Sequence, residues 1–361
     1  MKKLILFFCV VGLCSCSRQT ATHVYTSFET TDTLVAQVHS IPPVMLYPRG
    51  GLDGPRLVVF NDKMDTCFQV FDRNDFRYLY SFGVLGEGPD DFQLPAGQFA
   101  GQHAGKTFVT DMDKLKSISF ESGKPVVSVH PLPVQRSYYN GLMMLADSLY
   151  VCEADHEDSK EYLFIHPDGS QELKVDYPET EERFGSVLAR NQAYGRLAAA
   201  RPSGECFASF YVSDRRFRII DRSGNILHDI LLDIAPRDPQ IPVASDERRI
   251  HTLSVYATQD HIYTLNLDMK PEEIYSRKSL PSIQVFSWEG KPLAQWFLDR
   301  FVSSFVVDED RRIIYGVFAE NEAEIYTFGW GDDRTDGISG IIFRVGCLAL
   351  CLFLPTFGLC L

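Results

Sequence analysis

Leu57-Val58-Val59-Phe60-Asn61, then Cys67-Phe68-Gln69-Val70-Phe71, the turn Asp72-Arg73-Asn74, and Tyr78-Leu79-Tyr80-Ser81-Phe82-Gly83 decide how this chain folds. Apolar residues here fall in clusters of four to six bounded by Asp, Asn and Gly, which is strand spacing rather than the 3.6-residue stripe of a helix. The unit reads as a strand, a second alternating strand, a tight turn and a third strand.

The unit recurs. Thr107-Phe108-Val109-Thr110-Asp111 leads to Ser117-Ile118-Ser119-Phe120, the turn Glu121-Ser122-Gly123-Lys124 and Val126-Val127-Ser128-Val129. Leu149 to Cys152 pairs with Tyr162 to Ile165, turning at Pro167-Asp168-Gly169-Ser170, and Cys206 to Phe210 pairs with Phe217 to Ile220, turning at Asp221-Arg222-Ser223-Gly224-Asn225. His261 to Leu265 pairs with Ile283 to Phe286, turning at Trp288-Glu289-Gly290-Lys291, and the last copy holds Ile313 to Val317 and Glu324 to Phe328. Gly, Asn and Asp stand at these turns because a tight hairpin requires positive φ.

The leading aromatics Phe60, Phe108, Tyr150, Phe207, Tyr263 and Tyr315 are 48, 42, 57, 56 and 52 residues apart. Repeats of about 40 to 50 residues made of short strands are the signature of propeller blades, each of which needs its neighbours to cover its apolar faces. The expected fold is an all-β, six-bladed β-propeller over residues 34–333. A pair of plain β-sandwiches is the competing reading, and regular repetition over most of the chain argues against it. Leu34-Val35-Ala36-Gln37-Val38 and Val44-Met45-Leu46-Tyr47 precede what reads as the first inner strand, and are expected to complete the last blade and remove its open edge.

The ends read differently. Met1-Lys2-Lys3 and the apolar run Leu4 to Leu13 have the form of a secretory signal, too short to stay as a membrane span. Leu13-Cys14-Ser15-Cys16 resembles the lipobox of bacterial lipoproteins, which implies cleavage after residue 15 and lipidation of Cys16. Residues 16–33 are then expected to be a tether, opening with the small polar stretch Ser17 to Thr22. Ser17 after the lipidated Cys resembles lipoproteins sent to the outer membrane, and no acidic run of the surface-export kind follows, so a periplasm-facing domain is expected. At the other end, Val345 to Leu361 is a run of seventeen uncharged residues broken by Pro355, and 334–361 reads as an apolar tail not selected with the fold.

Composition narrows the function classes. The 361 residues are 45% apolar and 12% aromatic, enough for a sizeable core and against intrinsic disorder. The net charge of −13 becomes −15 when the signal's two lysines are removed, and no Lys/Arg run offsets it, which argues against nucleic acid as a partner. Cys67, Cys152 and Cys206, widely spaced and odd in number, form neither a disulfide framework nor a zinc knuckle and read as small buried hydrophobes.

Phe82-Gly83-Val84-Leu85-Gly86-Glu87-Gly88-Pro89-Asp90-Asp91-Phe92, leading to Leu94-Pro95, is similar to the G-x-x-G-x-G-P-x-E-F segment of TolB-like six-bladed propeller lipoproteins of Bacteroides-type bacteria. Asp91 stands where Glu is usual. Ile41-Pro42-Pro43-Val44-Met45 resembles that family's lead-in to the first blade, and the resemblance spans roughly residues 40 to 328. It implies the fold and the lipoprotein form and brings no catalytic set with it. Read from its residues, the loop joins blades: the glycines permit close backbone approach and Asp91 caps local amides. Its competing role is ligand contact through Gly86, Gly88, Pro89, Asp91 and Phe92.

Motifs that carry chemistry are absent: no H-E-x-x-H, no calcium loop and no G-x-S-x-G nucleophile elbow occurs, and no cofactor or metal is called for. His156, within Glu153-Ala154-Asp155-His156-Glu157-Asp158, reads as part of a solvated loop rather than a cation site. Ligands of propellers usually meet the loops at one mouth of the channel. Here those loops carry Arg136, Tyr138, Tyr139 and Asn140, then Arg183 and Phe184, then Arg237 and Asp238, and Tyr and Arg are effective contact residues. The expected function is a lipid-anchored binding module for a protein partner or a carbohydrate-like or anionic envelope ligand, without chemistry of its own. The alternative is a metal-dependent hydrolase or lactonase with a cation in the channel.

Overall fold

The computed structural model describes residues 21–41, 49–60, 65–88, 90–103, 106–121, 123–136, 139–155, 158–180, 183–234, 248–276, 279–318, 320–321 and 323–331. Strands dominate. Three come from the N-terminal segment: β1 (Thr22–Tyr25), β2 (Thr30–Leu34) and β3 (Gln37–Ser40). Blade 1 is β4 (Arg49–Asp53), β5 (Arg56–Phe60), β6 (Thr66–Asp72) and β7 (Tyr78–Val84), and blade 2 is β8 (Pro95–His103), β9 (Lys106–Asp111), β10 (Lys114–Glu121) and β11 (Lys124–His130). Blade 3 is β12 (Met143–Met144), β13 (Tyr150–Glu153), β14 (Lys160–Ile165) and β15 (Gln171–Asp176). After the short helix α1 (Val187–Ala193) comes blade 4: β16 (Arg196–Ala200), β17 (Cys206–Tyr211), β18 (Arg216–Asp221) and β19 (Ile226–Leu232). Blade 5 is β20 (Ile250–Ala257), β21 (His261–Met269), β22 (Ser282–Ser287) and β23 (Pro292–Leu298), with α2 (Pro271–Ser276) between its second and third strands. Blade 6 is β24 (Ser304–Asp308), β25 (Ile313–Val317), β26 (Glu324–Gly329) and, from the chain start, β3.

The blades form a ring, because each first strand lies against the first strand of the next blade and β24 returns to β4. The six-bladed propeller read from the repeats is therefore the fold, and the paired sandwiches are not. Six apolar seams hold it, one between every two neighbouring blades. In the seam between blades 4 and 5, Phe217 and Phe286 are fully buried, their ring centres 4.7 Å apart. Each such side chain stabilises the seam by about 1.5–3 kcal/mol through burial.

Two expectations need correction. The strands that open each quoted repeat, such as that of Leu57 to Phe60, read as innermost from the sequence, yet they are second from the axis. The innermost strands are chemically plainer: Arg49-Gly50-Gly51-Leu52-Asp53 in blade 1, and Arg196-Leu197-Ala198-Ala199-Ala200 in blade 4. The stretch expected to be a tether is also partly structured. β1 adds in parallel to β19 as a fifth strand of blade 4, and β2 adds in parallel to β23 as a fifth strand of blade 5. Buried Phe28 and Leu34 anchor this strap, and its β-branched Thr residues suit extended edges. β3 then pairs antiparallel with β26 and closes the ring. Residues 44–47, given the same closing role, lie outside the described residues, as do 1–20 and 332–361.

Candidate functional site

Antiparallel order within each blade puts the hairpin between strands two and three, and the connection to the next blade, at the same end of the sheets. The described ones among the sequence-predicted contact residues belong to loops of this one face. Pro89, Tyr138 and Arg237 lie outside the described residues, as do Cys16 and His156. The rest sit in the connections between blades 1 and 2, 2 and 3, and 3 and 4.

The glycine-rich loop folds onto itself. The Gly88 amide donates to Asp91 Oδ2 at 2.8 Å, and a Cβ at Gly86 or Gly88 would stand 2.4 or 2.7 Å from that oxygen. A side chain at either position would have to displace that carboxylate from the Gly88 amide. Phe92 is fully buried, its ring centre 5.1 Å from that of Phe68, and Lys116 Nζ lies 4.5 Å above it. Lys116 also donates to the Asp91 carbonyl and pairs with buried Asp111 at 2.8 Å. Asp111 in turn accepts from the amides of Gln93 and Leu94 at 2.9 and 2.7 Å. Asp91 thus turns inward, and the loop clamps blade 1 to blade 2.

Arg136 and Tyr139 serve their own loops in a similar way. Arg136 donates to both oxygens of Asp155 at 2.7 Å, and buried Tyr139 donates its hydroxyl to the Val134 carbonyl. Arg183 is exposed, while half-buried Phe184 packs on Tyr194, ring centres 5.8 Å apart. Beneath lies a buried polar knot that the sequence did not advertise. Glu161 accepts from Tyr211 Oη at 2.7 Å and faces Arg218 at 3.5 Å, and Arg196 donates to its backbone carbonyl. Burial raises the Glu161 carboxyl, and the two guanidinium groups oppose that rise.

A concavity on this face lies between blades 4 and 5, with a volume of about 200 Å³. Its walls are the loop-face ends of β17 to β23: Phe210, Arg215, Arg216 and Phe217 on one side, and His251, Thr252, Asn266, Asp268, Gln284, Gln295 and Phe297 on the other. Two bulges shape it. Between the pairs Ile250–Met269 and Thr252–Asn266, β21 carries Leu267 and Asp268 against His251 alone; the next step gives β20 the extra residue, Leu253. Asp268 takes a positive φ of 56°, a conformation that costs a non-glycine residue about 1 kcal/mol or more. This distortion brings the Asp268 carboxylate to His251.

Asp214 also lines the cleft, and Asp268, His251, Arg215 and Arg216 are partnered within the fold. Asp268 accepts the Nδ1–H of His251 and both Nε and Nη2 of Arg215, at 3.2 and 2.5 Å for the latter two. Burial alone would raise its carboxyl, but the hydrogen bonds from His251 and Arg215 and their charge outweigh burial and hold it at about 2. Arg215 also donates to the Ile234 carbonyl, and Arg216 Nε donates to Asp229 Oδ1 at 2.7 Å. Gln284 and Gln295 face each other across β22 and β23, and among the described residues neither amide has a hydrogen-bond partner. Phe297 is 44% exposed at the rim. No group of three or more His, Cys, Asp or Glu side chains among the described residues is placed to hold a metal ion, and no described helix is long and apolar enough to cross a membrane.

His251 and Asp268 escaped sequence reasoning because they are seventeen residues apart and belong to no motif. The one available signal was polar residues inside otherwise apolar strand clusters, as in Leu265-Asn266-Leu267-Asp268-Met269.

No family model matches the chain, and no curated protein matches it in sequence. Among solved structures it is similar to a member of the DUF4221 family from Bacteroides vulgatus, with TM-score 0.55 and 12% identity over 82% of this chain and 97% of that one. It is also similar to a protein from Bacteroides fragilis described as exported, with TM-score 0.52 and 10% identity over 85% of this chain and 99% of that one. Likeness at such identities speaks to the fold alone.

Proposed function

We propose that this chain is an exported, lipid-anchored envelope propeller that binds a neutral, hydroxyl-rich, carbohydrate-like ligand in the cleft between blades 4 and 5. The observation that carries the reading is the division of labour in the cleft. Among the described residues its arginines, Arg215 and Arg216, are taken up by Asp268 and Asp229 and offer an anion no open guanidinium fork, whereas two facing amides remain open. Amides donate and accept, as sugar hydroxyls do, and an exposed Phe offers a flat apolar face beside them. The lipobox at Cys16, the TolB-like loop order and the described export of the Bacteroides fragilis neighbour support the envelope placement, with the outer membrane as the anchor.

The test is calorimetric titration of neutral mono- and oligosaccharides into wild type and the Gln284→Ala/Gln295→Ala double variant. Each lost uncharged hydrogen bond removes about 0.5–1.5 kcal/mol, so affinity falls roughly 5- to 150-fold. Arg136→Ala, in a different loop, leaves it unchanged. Equal affinity in the double variant, or tighter binding of anionic than of neutral sugars, would refute the assignment. Anchoring is tested separately: Cys16→Ala abolishes palmitate incorporation and frees the protein from the membrane fraction.

A further inference from the structure

We infer that the cleft also carries out proton transfer: His251, oriented by Asp268, acts as the general base that activates water against an ester on the bound hydroxyl-rich ligand. This rests on the binding reading just given and extends it to an activity. His251 donates from Nδ1 to Asp268, which fixes the tautomer and leaves Nε2 as the acceptor on the far side of the ring. Among the described residues nothing hydrogen-bonds Nε2, and the side chain is 16% exposed where it lines the cleft. Asp268 is itself held by Arg215, and the Arg249 guanidinium donates to its backbone carbonyl at 2.7 Å. A carboxylate gripped this firmly, at a bulge that imposes positive φ, positions the imidazole and takes no proton itself.

The chemistry follows from what the cleft holds. Nε2 takes a proton from water as the water oxygen forms a bond to the ester carbonyl carbon. The carbon–oxygen bond to the leaving alcohol then breaks, and the same proton passes from Nε2 to the departing oxygen. Acid, alcohol and neutral imidazole result, and no reagent other than water is consumed. Gln284 and Gln295 supply amide N–H donors within the same cleft for the carbonyl oxygen as it gains charge. Glycosidic cleavage needs a protonated carboxyl as well as a base, and Asp268 is kept ionised by its two partners, which favours acyl esters over glycosides.

The experiment follows acetate release from a peracetylated monosaccharide by NMR, together with calorimetric binding of the deacetylated sugar, for wild type, His251→Gln and Asp268→Asn, with thermal melts as the control for folding. Expected are acetate release by wild type, a loss of about 100-fold or greater in kcat in His251→Gln, and a pH–rate profile in Asp268→Asn that differs from that of wild type. Should His251→Gln unfold, diethylpyrocarbonate treatment of wild type gives the same answer, with loss of acetate release tracking carbethoxylation of His251. Sugar binding without acetate release, or release that survives loss or modification of His251, overturns the inference and leaves the binding reading standing. Neither binding nor release overturns both. An Asp268→Asn profile identical to wild type refutes the positioning role.

Discussion

Phe28→Ala is the sharpest test of the strap. Phe28 lies in the stretch whose composition reads as a flexible tether, so a tether predicts no effect from the substitution. In the structure its side chain is 9% exposed, sits in the seam between blades 4 and 5, and places its ring 5.6 Å from that of Phe286. Truncating a buried Phe to Ala costs about 3–5 kcal/mol, and a rim position that relaxes in part belongs at the lower end, about 3 kcal/mol. For a domain of this size each kcal/mol lowers the melting midpoint by about 2 °C, so a fall of about 6 °C is expected. Urea unfolding gives the free energy directly, with the midpoint lowered and the slope unchanged. Limited proteolysis adds the location, because a loosened strap is cut within residues 22–34 before the blades are. A free energy within about 0.5 kcal/mol of wild type, with the same cleavage pattern, would refute the argument that the segment is packed.

Lys116→Met leaves the Asp111 carboxylate buried without its cation and should cost about 3 kcal/mol by urea unfolding, since breaking one side of a buried pair is far worse than lacking both. Gly88→Ala forces a Cβ to 2.7 Å from Asp91 Oδ2; a melt lowered by several degrees with unchanged sugar binding in the cleft is the expected result. The His261–Glu309 pair joins blades 5 and 6 and predicts a pH window. The hydrogen bond to Glu309 outweighs burial and raises the His261 ring, so its contribution is full below the unfolded value of about 6.5 and fades as pH rises through the elevated one. Burial pushes the Glu309 carboxyl up, but the donors His261, Thr258 and Tyr263 bring it below the usual range, so its contribution is full above about pH 4.5 and is lost on further acidification. Stability of wild type relative to His261→Gln should therefore peak between these pH values; a difference that keeps growing toward pH 9 would contradict the sign.

Much of the ring was legible because the second and third strands of every blade bury both faces and so concentrate Val, Ile, Phe and Tyr between turn residues. The innermost strands were not. Gly50-Gly51 and Ala198-Ala199-Ala200 carry little side chain, and such strands lose the apolar contrast that periodicity detects. The strap was hidden for a related reason: Thr30-Thr31-Asp32-Thr33 is edge chemistry, polar on its outer side, and only Phe28 and Leu34 hint at burial. Of the loop residues chosen for their type, Asp91 holds its own loop through Gly88 and Arg136 through Asp155. His251 and Asp268 meet through two opposed bulges, and strand register of that kind leaves no local mark in composition.

The clasp at blade 6 ties the beginning of the chain to its far end: His39 Nε2 and Thr327 Oγ1 meet at 2.8 Å across 288 residues. Closing so long a loop costs roughly 5 kcal/mol of chain entropy beyond a constant, which only the completed seams on both sides of blade 6 offset. A polypeptide lacking its final strands therefore keeps Gln37 to Ser40 without a hydrogen-bonding sheet and the wheel unlatched. Commitment to the native state waits until Glu324 to Gly329 are present to pair with them.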